Sequence, residues 1–567
     1  MIVDTLLFIL IFFLIITAFV GFGLFFSKYF LNLSKPHENL NLGIIGILGL
    51  ILVTSISYLT SFLFIHNYLH NVLLISSGFS FFLFYYLKNN YKLKKELLSL
   101  FFLSLFYISA LFLSKNHDDF SYYHLPFALS LVENKTIFGM GNLNLGYRHH
   151  SSLLYLNSIL YLPFIKYFLF HSTNLIIFIF VNFYLLKNIL INYKKKVNLI
   201  FLFNLLFFIL INLKFTRIAE YGTDIAGQLL LIIFFNLLIK VINLDTKFNR
   251  PNKDPYLILI IFVFLITLKV YFTIYGIFLL LIYKNYFHLF QKKFYLLKVI
   301  SFLFIFFLLF IILNLANTGC LIYPIPELCF PDQFFWALPI EEVARLQFHL
   351  ESWAKAGKIP GFSLSDLEIY ITNFNWVSNW INLYFFTKMS DFLLTIIFIV
   401  IVIIFSLKIN FILNINKKNF LFLILIGLVI LEWFSKHPSL RYGGYFPIAF
   451  FIFFLFLSIV DYKPFDLLIK KNFFKKVIFL FLFFPILFFN IKNIHRIQKE
   501  MNRSDMYKFT SFPYMYIEKK EFEPLFDDNK IYLYKTIGHC WATPTPCAGT
   551  DSIGHKTMYG FKIFFLK

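Results

Sequence analysis

Hydrophobic and polar stretches alternate along nearly the whole chain, on the length scale of a bilayer-crossing helix. Apolar runs occupy residues 4–27, 42–65, 69–87, 97–113, 173–192, 197–213, 224–244, 256–268, 271–283, 298–315, 391–409, 419–436, 445–460 and 476–492. A helix of about twenty such residues spans a hydrocarbon core of roughly 30 Å. In lipid every backbone polar group must be satisfied within its own segment, and no strand-like alternation is present, so the runs predict helices. The expected fold is an all-α polytopic membrane protein with about 13–14 transmembrane helices. The first run has no basic leader and no small-residue cleavage site, and reads as a retained span.

Orientation comes from the basic loops. KNNYKLKK (88–95), KNILINYKKK (187–196), DTKFNRPNK (245–253), KNYFHLFQKK (284–293), KINFILNINKK (408–418) and the 463–476 segment all carry the cytoplasmic signature. For these to share one side, residues 151–170, with Pro163 and Lys166, form an amphipathic or re-entrant helix on the outer side rather than a span. Residues 256–283 then fold back as two short spans around Lys269. Outside fall the loop 114–150, the loop 317–390 and the tail 493–567. The domain plan is N-terminal helices 1–96, a core 97–316, the extracytoplasmic loop 317–390, C-terminal helices 391–492 and a small α+β extracytoplasmic tail 493–567.

Composition agrees with this reading. The chain is 59% hydrophobic and 14% charged. Its net charge of +22 marks cytoplasmic loops, not nucleic-acid binding. The 84 phenylalanines reflect codon bias in an AT-rich genome rather than an aromatic function. All four cysteines, Cys320, Cys329, Cys540 and Cys547, fall on the outer, oxidising side, where disulfides persist. Four cysteines allow three pairings, of which the local pairs Cys320–Cys329 and Cys540–Cys547 are favoured. Their spacing does not suit zinc.

Candidate chemistry concentrates in SKNHDDFSYYHLPFALSLVENKTIFGMGNLNLGYRHHS (114–151). Asp118 and Asp119 close an apolar run, and Tyr122, Tyr123 and His124 follow. LPFALSLVENK has helical apolar spacing and suggests a helix lying on the membrane surface. Arg148, His149 and His150 end the segment. One of two adjacent carboxylates can serve as general base while the other orients it or holds a metal; helix capping is the plainer alternative. In HPSLRYGGYF (437–446), Arg441 can grip a phosphate bidentately, the glycines permit close approach, and His437 adjoins; the plainer alternative is an arginine reaching for lipid headgroups. In RIAEYGTDIAG (217–227), Asp224 or Thr223 reads as a helix N-cap and Glu220 as a candidate second acid. Lys269, inside LITLKVYFTIYG, needs a partner or a polar cavity, or else a solvated outer turn. Trp336, Trp353, Trp376 and Trp380 suit interface anchoring or sugar stacking.

The order of these parts resembles the first outer loop of the GT-C glycosyltransferases: an acid pair at the end of a span, tyrosines, an amphipathic helix, a Gly-rich turn with a basic residue, then another helix. That superfamily includes protein O-mannosyltransferases and the aminoarabinose transferase acting on lipid A. The resemblance implies a GT-C-like fold and sugar transfer at the outer face of a bacterial inner membrane. The donor would be a polyprenyl-phosphate-linked sugar and the acceptor a glycan, lipid or protein. Asp119 would be the base or a metal ligand, with Asp118 and Glu220 assisting, and a divalent ion (Mg or Mn) bound by Asp118 and Asp119. Arg441 and Arg148 would meet the lipid phosphate, with Tyr123, His124, His149, Lys269 and His437 as further substrate contacts. The chain departs from the family in having three extra spans before the acid pair and no Lys-Pro-Pro signature after the loop. TGCLIYP, HPSLRYGG and the tail also resemble a poorly characterised family of bacterial multi-pass proteins. Two rival readings are an O-antigen-type polymerase or ligase with its key residues in 317–390, and a transporter with mid-membrane polar groups. No P-loop, HExxH motif or nucleophile elbow is present.

Overall fold

The computed structural model describes residues 2–88, 91–113, 119–193, 199–243, 253–282, 294–359, 362–363, 366–407, 417–459, 471–503, 518–528, 531–536, 538–549 and 552–567. Among them, eight helices are long and apolar enough to cross a membrane. Four further apolar helices are shorter: Leu199–Lys214, Asp254–Leu268, Val270–Ile282 and Tyr445–Phe456. The chain is therefore a helical multi-pass membrane protein with a small strand region at its C-terminus. Helices Asp224–Asn243 and Ser172–Tyr193 lie at the centre, and Phe294–Thr318, Ser390–Leu407 and Lys471–Arg503 turn large apolar side chains outward.

Glycines set the closest helix contact. A Cβ on Gly23 would fall 1.7 Å from the Ile45 carbonyl oxygen, and one on Gly49 1.8 Å from that of Phe19. Helices Ile2–Tyr29 and Leu42–Leu63 therefore meet backbone to backbone, as small residues allow within membranes.

The 256–283 run does fold back on itself. Helix Asp254–Leu268 ends at Lys269, and a 3-10 stretch, Val270–Leu279, returns. Phe262 packs on Gly276, two positions equidistant from Lys269, which puts the lysine at the bend. The 151–170 region is not a full-length span: Ser152–Ile159 is a two-turn helix, entirely buried. Ser152 Oγ donates to Thr267 Oγ1 at 2.7 Å and lies 2.7 Å from Tyr58 Oη, so it is wedged between two other helices.

Helix Leu125–Glu133 corrects an expectation. Its apolar spacing predicts a helix on the membrane surface, but Leu125 through Val132 are all buried by protein. The His66 amide donates to Leu131 O at 2.8 Å, and the C-terminal tail covers its far end. The tail builds a three-stranded sheet (Glu523–Asp528, Ile531–Lys535, Cys547–Ala548) and a hairpin of Ile553–Met558 with Phe561–Leu566. Phe138 N–H donates to Lys562 O (3.0 Å) and Phe138 O accepts from Phe564 N–H (2.9 Å). Gly139 N–H reaches Ala316 O at 2.7 Å. The three long polar regions thus gather at one end of the bundle. Cys320 is bonded to Cys329, and Cys540 to Cys547, at that same end.

Candidate active site

Four charged side chains from four separate segments meet at this end. Asp224 is the first residue of helix Asp224–Asn243, where a carboxylate is favoured by the helix dipole. Lys269 sits at the C-terminal end of helix Asp254–Leu268, where a cation is favoured for the same reason. Arg441 lies in the 3-10 turn Leu440–Tyr442 between two helices. Asp119 precedes the π-turn Phe120–His124.

Their contacts form a chain of alternating sign. Lys269 Nζ binds Asp224 Oδ1, and Arg441 Nε binds Asp224 Oδ2. Arg441 Nη2 then donates to Asp119 Oδ2 at 3.0 Å, joining residues 322 positions apart. Asp224 is buried, whereas Lys269, Arg441 and Asp119 are each a third or more exposed (33%, 39% and 34%). The inner carboxylate therefore fixes two cations that stay partly exposed. Tyr442 lies beneath both, its ring centroid 4.9 Å from Lys269 Nζ and 5.8 Å from the Arg441 guanidinium. Burial pushes the Tyr442 hydroxyl up to about 12 despite the neighbouring arginine. Burial alone would lower Arg441, but Asp224, Tyr442 and Asp119 raise it instead, so it stays charged.

The turn carrying Arg441 is rigidly held. Trp380 Nε1 donates to Pro438 O (2.6 Å) and Trp433 Nε1 to Ser439 O (3.0 Å). Leu440 N–H donates to Tyr384 Oη at 2.7 Å. Gln228, one turn along the helix from Asp224, donates from Nε2 to Arg441 O at 3.0 Å. One helix face therefore grips both the backbone and the guanidinium of Arg441. Both glycines are required here: Gly443 has φ +90°, and a Cβ on Gly444 would meet the Trp433 ring at 2.5 Å. They serve the turn's own packing. Trp376 and Trp380, expected at the membrane interface or on a sugar, are buried beneath this turn.

Around the four charges stand several other residues singled out from the sequence. His149 is held down to about 4 by burial and by Lys269, so it is a neutral imidazole near neutral pH. Tyr123 is buried beside it, with ring centroids 6.3 Å apart, and burial raises its hydroxyl well above the usual range. His437 is also held down to about 4, chiefly by burial, with its ring against Tyr271. His124 is buried and lines a small, mostly apolar pocket that also holds Asn157, His171 and Asn174.

Other candidates lie elsewhere or outside the described residues. Glu220 pairs with Arg217 at 3.5 Å, and the inner acid of the cluster is Asp224. Arg148 is buried, with Nε donating to Gly141 O (3.1 Å) and Nη1 to Glu342 (3.4 Å), where it ties the 114–150 loop to the 317–390 loop. Asp118 lies outside the described residues.

Asp119 and Asp224, the described carboxylates of the cluster, do not by themselves form a divalent-ion site. Among the described residues, no group of three His, Cys, Asp or Glu side chains is arranged to hold one. Both oxygens of Asp224 already face cations, and Asp119 faces Arg441. Sequence reasoning missed Asp224 and Tyr442. The available signal was Lys269 itself, since a lysine within an apolar run calls for a carboxylate.

Residues 5–448 match the family described as Domain of unknown function (DUF8201). No curated protein and no solved structure matches the chain. The chain belongs to the DUF8201 family.

Proposed function

We propose that this DUF8201 member is a membrane glycosyltransferase. It transfers a sugar from a polyprenyl-phosphate-linked donor to a hydroxyl-bearing cell-envelope acceptor at the outer face of a bacterial inner membrane. The observation that carries this reading is the contact of Asp119 with Arg441, in a cluster where Lys269 supplies a second cation. A carboxylate beside two partly exposed cations, at the rim of an apolar bundle, suits a substrate whose phosphate sits at the membrane surface and whose tail stays in lipid.

Each group has a role. The acceptor hydroxyl gives its proton to Asp119 as its oxygen bonds the sugar's anomeric carbon. The bond from that carbon to the phosphate oxygen breaks, and its electron pair leaves on the phosphate. Arg441 and Lys269 stabilise that developing charge. Asp224 positions both cations and is itself too buried to act as a base.

The test is reconstitution with polyprenyl-phosphate-linked sugars and envelope acceptors. Wild-type protein should release polyprenyl phosphate and form a new glycosidic bond, and Arg441→Gln should lose both donor binding and transfer. Protein that neither binds the lipid phosphate nor transfers sugar would overturn the reading.

A further inference from the structure

The C-terminal tail holds the segment that carries Asp119. It lies beyond residue 448, where the family match ends. Asp119 enters the π-turn Phe120–His124, which runs directly into helix Leu125–Glu133. Support arrives from one turn of the tail. Trp541 N–H donates to Ser121 O at 2.9 Å, and His539 Nδ1 lies 2.7 Å from Ser121 Oγ. The His539 ring also packs against Tyr122, centroids 5.4 Å apart.

The same turn grips the other end of the helix that follows. Thr545 donates from N (2.9 Å) and from Oγ1 (2.6 Å) to Glu133 Oε2, at the end of helix Leu125–Glu133. The Cys540–Cys547 disulfide closes the turn between these two grips. His539 and Trp541 on one side, and Thr545 on the other, form a stapled brace along the helix. The cations of the site are carried differently: Arg441 by its tryptophan-packed turn, and Lys269 by the end of a helix.

We infer that the stapled turn 539–547 is a positioning element for Asp119, with His539 as its positioning residue. Acting through Ser121, it sets where the Asp119 carboxylate stands relative to Arg441. Its predicted effect on turnover rests on the glycosyltransferase reading; its bracing of the loop does not. Loss of the brace should therefore slow the chemical step while leaving the phosphate-binding cations in place.

The experiment compares His539→Ala, His539→Asn and the double variant Cys540→Ser/Cys547→Ser in full-length protein. The readouts are amide hydrogen exchange over residues 120–124, polyprenyl phosphate binding, and turnover. His539→Ala should speed exchange there and lower turnover by about tenfold to a hundredfold, as a small misplacement of a reacting group does, with lipid-phosphate affinity kept within about twofold. His539→Asn retains a polar atom near the place of Nδ1 and should recover most of the loss. The disulfide variant should match His539→Ala; if it does not fold, the two histidine variants decide. Unchanged exchange and turnover in His539→Ala would overturn the inference. So would binding and turnover falling together. If wild-type protein shows neither binding nor transfer, the glycosyltransferase reading fails, while the exchange comparison still decides whether the tail braces the loop.

Discussion

Replacing Asp119 with Asn removes one charge and almost no volume, and its effect on binding should be opposite to its effect on catalysis. Two unit charges about 4 Å apart attract by about 4 kcal/mol at an effective dielectric near 20. Asp119 and Arg441 are 34% and 39% exposed, so water and side-chain entropy cancel most of that attraction. About 1 kcal/mol remains for such a pair. Any phosphate that binds Arg441 must compete with that restraint. Relieving it should tighten binding of polyprenyl phosphate by up to about fivefold, since 1.4 kcal/mol corresponds to tenfold. Turnover should fall by about 10²–10⁴, the usual contribution of a general base. Titrating solubilised protein with a short-chain polyprenyl phosphate gives the first quantity, and transfer of labelled sugar gives the second. Weaker binding in Asp119→Asn would mean that Asp119 holds Arg441 in place instead of competing for it. Full turnover would remove Asp119 from the chemistry.

Three more perturbations probe the same end of the molecule. Asp224→Asn leaves Lys269 and Arg441 facing each other without their shared counter-charge, which should cost about 3 kcal/mol of stability; an unchanged unfolding midpoint would refute the central role given to Asp224. Gly444→Ala drives a methyl group into Trp433, so the Arg441 turn must shift, and lipid-phosphate affinity should fall by about tenfold or more in a binding assay. His149 and His437 are both held down to about 4 against an ordinary value of 6.5. As pH falls from 6.5 towards 4, the unfolded chain takes up protons that the native state refuses, so stability should decline across that window and level off below it. Thermal unfolding at pH 7.5 and 4.5 checks the sign, and a midpoint that rises on acidification would refute it.

The helical, multi-pass character was legible because bilayer-length apolar runs have few other uses. The bend at Lys269 was legible too, from the need to keep the basic loops on one side. Asp119 and Arg441 stood out as polar groups at helix ends, and the structure brings them together. Asp224 looked like an ordinary helix-starting aspartate. Nothing local tells that residue apart from one whose two oxygens receive cations 45 and 217 positions away. Helix Leu125–Glu133 was misplaced for a related reason. Its apolar residues need cover, and the sequence does not say whether lipid or protein supplies it; here protein does, with the tail over its far end. Arg148 looked free to meet a ligand until Glu342, 194 residues away, proved to be its partner.

The bend at Lys269 has one more consequence. Helix Asp254–Leu268 has 15 residues, and at 1.5 Å per residue it rises only about 22 Å, against a hydrocarbon thickness of about 30 Å. A segment that short draws the two leaflets closer together around it, or lets water and headgroups dip towards its end. With that helix spanning from the opposite face, the cation at its tip would stand below the ordinary headgroup plane. If the proposed donor is right, a long-chain isoprenoid would meet the cations of the site with its hydrocarbon still immersed, and local thinning of the bilayer would help present its phosphate.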